Sequence, residues 1–347
     1  MFYNFLNLGL INFLVYFSFS FLFSFYGIKY FIILLKKHNK FQPIREEGPT
    51  NHLITKAKTP TMGGAIISIS LIIGILLFCN LKLSSILITI CLIFTFSIIG
   101  LLDDLIKVFF NNTKGFQGSK KLILQLLITS ICMLYLGYSN YEYLNSGVIL
   151  PLFDVEIPLG NLILTFYTFI ICGSSNAANI TDGLDGLLSV PIIIISTTLF
   201  IITLLLMNNY HSLYIIQPSY DLLYNILIIL ILIITIFSTF MIYNHHPAKI
   251  FMGDVGSLMI GAVLCYISIL LKIEILYGIM SFLFIFEISS TIIQIAYFKL
   301  TKGKRIFKMA PFHHHLEKCG WSENKIVFSM WIFTFICCAF SLGLFLI

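Results

Sequence analysis

Long apolar runs broken by short polar interruptions set the pattern of the chain. A helix needs ~20 apolar residues to cross a bilayer. Runs of that kind lie near 8–35, 61–80, 84–106, 121–138, 161–178, 187–207, 222–243, 255–271, 274–298 and 325–347 and predict ten transmembrane helices. The first run starts at the initiating Met without a basic leader or a small-residue cleavage site, so it is expected to be a retained span. Within the polar stretch 139–160, Val148 to Ile157 alternates with period two and predicts a short hairpin. The expected fold is an all-α polytopic membrane protein, with 1–347 as one integral membrane domain.

Composition supports this and adds an orientation. The chain is 59% apolar and 10% charged, with a mean hydropathy of +0.98, which excludes a soluble globular class. Of the 21 Lys and Arg, all but Lys29, Lys82 and Lys272 fall in or beside the loops after runs one, three, five, seven and nine. Those loops are therefore expected to face the cytoplasm, with both termini outside. The net charge of +6 is concentrated on that face, where it can meet anionic lipid heads or phosphorylated substrates. The eight cysteines show no CxxC pair and read as small core residues.

The polar interruptions on the expected cytoplasmic side carry the candidate chemistry. Asn176-Ala-Ala-Asn-Ile-Thr-Asp-Gly-Leu-Asp-Gly186 sets two carboxamides, two carboxylates and two glycines between apolar runs. With Thr181 as the cap of the next helix, Asp182 and Asp185 would share one helical face beside free N–H groups. A plain polar turn is the bland alternative, and the gathering of the other polar clusters on the same side speaks against it. Thr59-Pro-Thr-Met-Gly-Gly64 opens the second run, with Pro60 expected in the first helical turn and the glycines permitting close backbone approach. The third run ends in Leu101-Leu-Asp-Asp-Leu-Ile-Lys107. Adjacent helical residues point ~100° apart, so Asp103 and Asp104 are expected to have different roles. Lys114, Lys120 and Lys121 follow and suit phosphate. Asp254 stands at a helix start among Gly253, Gly256 and Ser257, a setting for a shared phosphate–metal pair. Phe251 suits stacking on a base, with core packing as the alternative. The last such loop holds His313, His314 and His315 among Lys and Arg, a set that suits oxyanions; His315 and Cys319 alone are a weak zinc pair. Carboxylates with phosphate-seeking cations form the inventory of Mg²⁺-assisted phosphoryl transfer, and their place at a membrane surface points to a lipid phosphate as one reactant.

Thr59-Pro-Thr-Met-Gly-Gly64, Asp103-Asp104, Asn176 to Gly186, Phe251-Met-Gly-Asp-Val-Gly-Ser257 and Met309-Ala-Pro-Phe-His-His-His-Leu-Glu317, in that order, resemble the signatures of the bacterial phospho-N-acetylmuramoyl-pentapeptide transferase family. This family lies within the polyprenyl-phosphate N-acetylhexosamine-1-phosphate transferase superfamily. The resemblance covers nearly the whole chain. It implies transfer of phospho-N-acetylmuramoyl-pentapeptide from its UDP carrier to undecaprenyl phosphate, giving lipid I and UMP for peptidoglycan, at the cytoplasmic face of the bacterial inner membrane. It makes Asp254 the Mg²⁺ ligand and Asp103 the base that readies the lipid phosphate, with Asp104 beside it. It places Lys56, Thr61, Lys121, Asn176, Asn179, Asp182, Asp185, Asn244, Phe251, Ser257, His313, His314 and His315 at the substrate site. The implied partners are UDP-N-acetylmuramoyl-pentapeptide, undecaprenyl phosphate and the membrane, with no nucleic acid and with a homodimer left open. One position departs from the pattern: Ser119 stands where the family usually has Arg or Lys, two residues before Lys121.

Three other readings use parts of the same inventory. A sibling transferase acting on UDP-N-acetylglucosamine shares the metal, pyrophosphate and uracil chemistry. An aromatic-acceptor prenyltransferase also uses Asp-rich loops with Mg²⁺, but does not account for the His triplet. A secondary transporter would place its carboxylates near the midplane in repeated halves, and no internal repeat is visible here.

Overall fold

The computed structural model describes residues 9–38, 59–109, 115–139, 147–150, 155–208 and 218–347. In chain order its elements are α1 Leu10–Lys37, α2 Gly64–Phe78, α3 Ser84–Phe109, α4 Gly118–Ser139, β1 Val148–Leu150 and β2 Val155–Ile157, followed by α5 Leu162–Thr181, α6 Ser189–Met207, α7 Tyr220–Asn244 and α8 Gly253–Leu270. The chain ends with α9 Glu274–Met280, α10 Phe282–Leu300, α11 Phe312–Lys318 and α12 Glu323–Leu346. Among the described residues nine helices are long and apolar enough to cross a membrane, and α2 is apolar but shorter. The protein is thus an all-α polytopic membrane protein. The predicted hairpin is present, with Val148 opposite Ile157 in an antiparallel pair.

The core is built around α8. Every residue from Val255 to Leu270 is buried, and this helix packs against α3, α5 and α2. Lipid tails are as apolar as Leu, so helices in a bilayer associate through close packing and small residues. Gly64 lies so close to Gly256 that a Cβ on it would overlap the Gly256 backbone, and a Cβ at Gly100 would overlap the Asp254 carbonyl. These two contacts draw α2 and α3 onto the first turn of α8. Around this centre, α7 packs against α6 and α1, and α12 against α6 and α9. On α4, Leu122, Ile123, Leu127, Ile131 and Leu134 point outward.

Several boundaries differ from the expected ones. Pro60 lies before the helix, because residues 60–64 run alongside 251–252: Phe251 N donates to Pro60 O at 2.9 Å, Gly63 N to Phe251 O at 2.9 Å and Gly64 N to Met252 O at 2.8 Å. Those backbone bonds hold the segment outside the helix, with Met62 at φ 72°, and α2 keeps only 15 residues. Thr181 does not cap a following helix; it closes α5, and its hydroxyl donates to Ala177 O at 2.8 Å. The ninth run is two helices. At the joint, Ser281 Oγ donates back to Tyr277 O at 2.7 Å, a bond from residue i to i−4 that favours bending. The His triplet lies in a short helix, α11, rather than in an open loop.

Candidate active site

Helix ends bring the carboxylates of the third and eighth runs together. Asp103 and Asp104, on the last turns of α3, are 3% and 1% exposed, and Asp254 is the second residue of α8. One carboxylate oxygen from each of the three lies within 4.8 Å of the others. As their divergence on the helix requires, the two neighbours have different partners. Asp103 pairs with Lys107 at 2.5 Å and accepts the Phe116 N–H at 2.6 Å. Asp104 accepts the Val255 N–H at 3.3 Å and reaches the first turn of α8. Lys121 meets Asp254 at 2.6 Å and Asp103 at 3.9 Å. Lys107 also reaches Asp254, at 3.2 Å. Three like charges this close are tolerated only when paired with cations, and two ammonium groups against three carboxylates leave one negative charge when all are ionised.

The arrangement fits a hard divalent cation, since its donors are carboxylate oxygens. Thr61 supports the same reading. Its hydroxyl is buried without a hydrogen-bond partner among the described residues, and it flanks Gly253, where a Cβ would stand 3.0 Å from Thr61 Oγ1 and overlap Asp104. Gly253 itself has φ +75°, a backbone conformation that glycine adopts without strain.

The Asn176–Gly186 stretch runs out of α5 into a turn, so Asp182 and Asp185 do not share a helical face. Asn176 Nδ2 donates to Gln125 Oε1 at 2.7 Å and ties α5 to α4. Asn179 Nδ2 donates to Ser257 Oγ at 2.9 Å, and Ser257 Oγ to Gly253 O at 3.0 Å, which fixes the first turn of α8. Asp182 is the C-cap of α5. Asp185 turns elsewhere: it accepts the Ala248 N–H at 2.9 Å and lies 3.2 Å from His246 Nδ1, while its own N–H donates to Glu323 Oε1 at 2.9 Å. A cavity of about 490 Å³ opens there, lined by Asp185, His246, Lys325 and Trp331 among others. Asn244 acts as a clamp. Its Oδ1 accepts from Gly186 N at 3.1 Å and Ser189 Oγ at 2.9 Å, and its Nδ2 donates to Ile250 O at 3.0 Å. Phe251 is half-buried and joins this region through the Pro60 and Gly63 backbone bonds.

The three histidines do not act as one set, because successive residues of α11 diverge. His313 is fully buried and stands 3.1 Å from Glu287 Oε2. His314 pairs with Glu317 at 2.6 Å. His315 Nδ1 accepts the Lys308 N–H at 3.1 Å, so in the neutral ring the proton is on Nε2, the atom facing Cys319 Sγ at 3.7 Å. A neutral imidazole in that tautomer is no zinc ligand on the Cys319 side. Lys56 and Lys114 lie outside the described residues. Lys121 is buried, whereas Ser119 and Lys120 are both exposed.

Sequence reasoning missed Lys107, although its spacing of four from Asp103 on one helix was the available signal. It also missed Glu287 and the Asp185–His246–Glu323 grouping, whose members come from distant parts of the chain.

A carboxylate–lysine centre at the helix ends of a polytopic membrane protein has the donor set that membrane-embedded phosphoryl transfer uses. Residues 84–272 match the model of glycosyl transferase family 4. The phospho-N-acetylmuramoyl-pentapeptide-transferase of Wolbachia sp. subsp. Drosophila simulans (strain wRi) is 42% identical over 329 residues, 93% of this chain and 96% of the relative. Those of Rickettsia bellii (strain OSU 85-389) and Orientia tsutsugamushi (strain Ikeda) are 44% and 42% identical over 313 and 344 residues, covering 88% and 97% of this chain and 84% and 92% of theirs. The chain therefore belongs to glycosyl transferase family 4 and, within it, to the phospho-N-acetylmuramoyl-pentapeptide-transferases.

Proposed function

We propose that the Asp103–Asp104–Asp254 centre is where undecaprenyl phosphate attacks the β-phosphate of UDP-N-acetylmuramoyl-pentapeptide, releasing UMP and giving lipid I for peptidoglycan synthesis. The single observation that carries the site assignment is the convergence of three carboxylates and two lysines from α3, α4 and α8. Asp254, with Asp103 and Asp104 in reach, would hold Mg²⁺, which when bound neutralises phosphate oxygens and so favours attack by an anionic nucleophile. Lys107 and Lys121 pair with Asp103 and Asp254, hold them in orientation and offer ammonium donors to phosphate oxygens. Asp103, held at one oxygen by Lys107 and at the other by the Phe116 N–H, is preorganised to orient the lipid phosphate or accept its proton. A carboxylate bound on both sides is a blunted nucleophile, which favours direct in-line transfer over a covalent phospho-sugar on Asp103.

The remaining sequence-derived site residues line the donor side in this reading: Lys56, Thr61, Asn176, Asn179, Asp182, Asp185, Asn244, Phe251, Ser257 and the histidines of α11. The site faces the cytoplasm of a bacterial inner membrane, with both termini outside. Purified protein in detergent, given undecaprenyl phosphate, Mg²⁺ and either UDP-N-acetylmuramoyl-pentapeptide or UDP-N-acetylglucosamine, is expected to release UMP only with the first. Equal or faster turnover of UDP-N-acetylglucosamine would move the protein to the sibling activity. A stable labelled enzyme adduct formed without acceptor would sink the direct mechanism.

A further inference from the structure

Glu287 is a fully buried carboxylate on a helix that is otherwise mostly exposed. Of the buried residues of α10, Glu287, Ser290 and Gln294 are polar and spaced along one face. A carboxylate within a membrane-spanning helix carries a cost of roughly 2.5–3.5 kcal/mol on insertion scales, so an apolar residue would serve packing better. This polar stripe faces the segment that carries the histidines. Gln294 Oε1 accepts the N–H groups of Ile306 and Phe307 at 3.1 and 2.9 Å. Glu287 Oε2 accepts the His313 N–H at 3.4 Å and also stands 3.1 Å from the ring nitrogen Nδ1. That second contact is close in distance but off the hydrogen-bonding angle, and neither ring nitrogen of His313 has a hydrogen-bond partner among the described residues. The opposite nitrogen, Nε2, abuts Gly183 so closely that a Cβ there would overlap it. His313 thus spans from a buried acid to the turn between Asp182 and Asp185, and a carboxylate beside Nδ1 draws the ring proton to that atom, leaving Nε2 to face the turn.

We propose that Glu287 is a positioning residue that fixes the ring orientation and tautomer of His313 and, through the packing of Nε2 against Gly183, holds the Asp182–Asp185 turn in place for the donor substrate; this rests on the donor-site reading above. In the full-length detergent-purified protein, Glu287→Gln keeps an acceptor for the His313 N–H but lacks the charge. It is expected to lower kcat about 10- to 100-fold, as small misplacements of a reacting group do, with the KM for prenyl phosphate and the unfolding temperature little changed. In a His313→Ala background the same substitution is expected to change kcat less than about twofold, since residues acting as a unit are not additive. Wild-type kcat in Glu287→Gln, or losses that multiply in the double variant, would overturn the proposal. A readout independent of turnover is diethyl pyrocarbonate labelling of His313 followed by peptide mass spectrometry, expected to speed up several-fold once the ring is released. Unchanged labelling overturns the proposal even where the wild type transfers neither donor, whereas an inactive wild type with faster labelling in the variant counts against the donor-site reading alone.

Discussion

Asp103 and Asp254 share Lys107 and Lys121, whereas Asp104 accepts the Val255 N–H, so the three carboxylates are not equivalent and their substitutions test different contacts. Asp254 is contacted by Lys107 and Lys121 and offers an oxygen beside both other carboxylates. Asp254→Asn preserves its shape and removes its charge. Turnover is expected to fall by two or more orders of magnitude, the scale of losing an electrostatic element of a preorganised site, while the far-ultraviolet circular dichroism and unfolding temperature stay close to wild type. Near-normal UMP release at low Mg²⁺ would show that the metal is held elsewhere. Lys107→Met tests the residue that the sequence did not flag. Its ammonium serves Asp103 and Asp254 together, and removing one partner of a buried ion pair leaves the other uncompensated. Its kcat is expected to fall at least about tenfold, and a variant with wild-type kinetics would remove Lys107 from the centre. At this scale the carboxylates were legible because ionised groups among apolar runs stand out, whereas Lys107 read as one more charge at a helix end.

Helix ends, more than helix bodies, decide where these side chains meet. The apolar bodies were readable from hydropathy, but the ends were misplaced wherever a polar residue finds its partner inside the protein. Asn176, Asn179 and Thr181 read as a break, yet they bond to Gln125, Ser257 and Ala177 O and let α5 continue. Pro60 was placed inside α2, although backbone bonds from residues distant in sequence keep it outside. Close helix approach was anticipated from the glycines, but its partner was not. Gly64→Ala would put a Cβ into the Gly256 backbone, where neither side has a flexible end to yield. The expected result is a lower unfolding temperature in detergent together with lost activity, because α2 and α8 must separate at the turn that carries Asp254. Gly278→Ala, where a Cβ meets nothing within 4 Å, is the matched control and is expected to be neutral, as helix propensity favours Ala. Equal stability of the two variants would show that the α2–α8 contact contributes little.

Across the whole molecule, charge outside the spanning helices is not confined to the end that carries the carboxylate centre. Lys272 and Glu274 lie in the link between α8 and α10 and are 2% and 6% exposed. Lys272 Nζ donates to the Tyr167 hydroxyl at 2.7 Å. Burial pushes the Lys272 ammonium down to about 8, offset in part by Glu274, and pushes the Glu274 carboxyl up to about 7, offset in part by Lys272. In sequence Lys272 reads as a loop charge and Glu274 as the first residue of the ninth run, since nothing in the local pattern reports burial. A carboxyl whose folded value is raised binds more protons in the folded state, so its contribution is fully present below the ordinary carboxylate range and is lost as pH rises through about 7. Lys272 has the opposite slope: with a lowered folded value, stability rises as pH climbs from about 8 toward the ordinary lysine range. Together the two give a minimum in their joint contribution near pH 7–8. Glu274→Gln removes the lower limb while keeping a similar shape. Compared at pH 5 and pH 7.5, wild type should therefore lose more unfolding temperature than Glu274→Gln, with the difference between the two proteins growing as pH rises. A difference that stays constant over that interval would mean that Glu274 titrates at its ordinary value and that its burial does not govern the stability of this end of the protein.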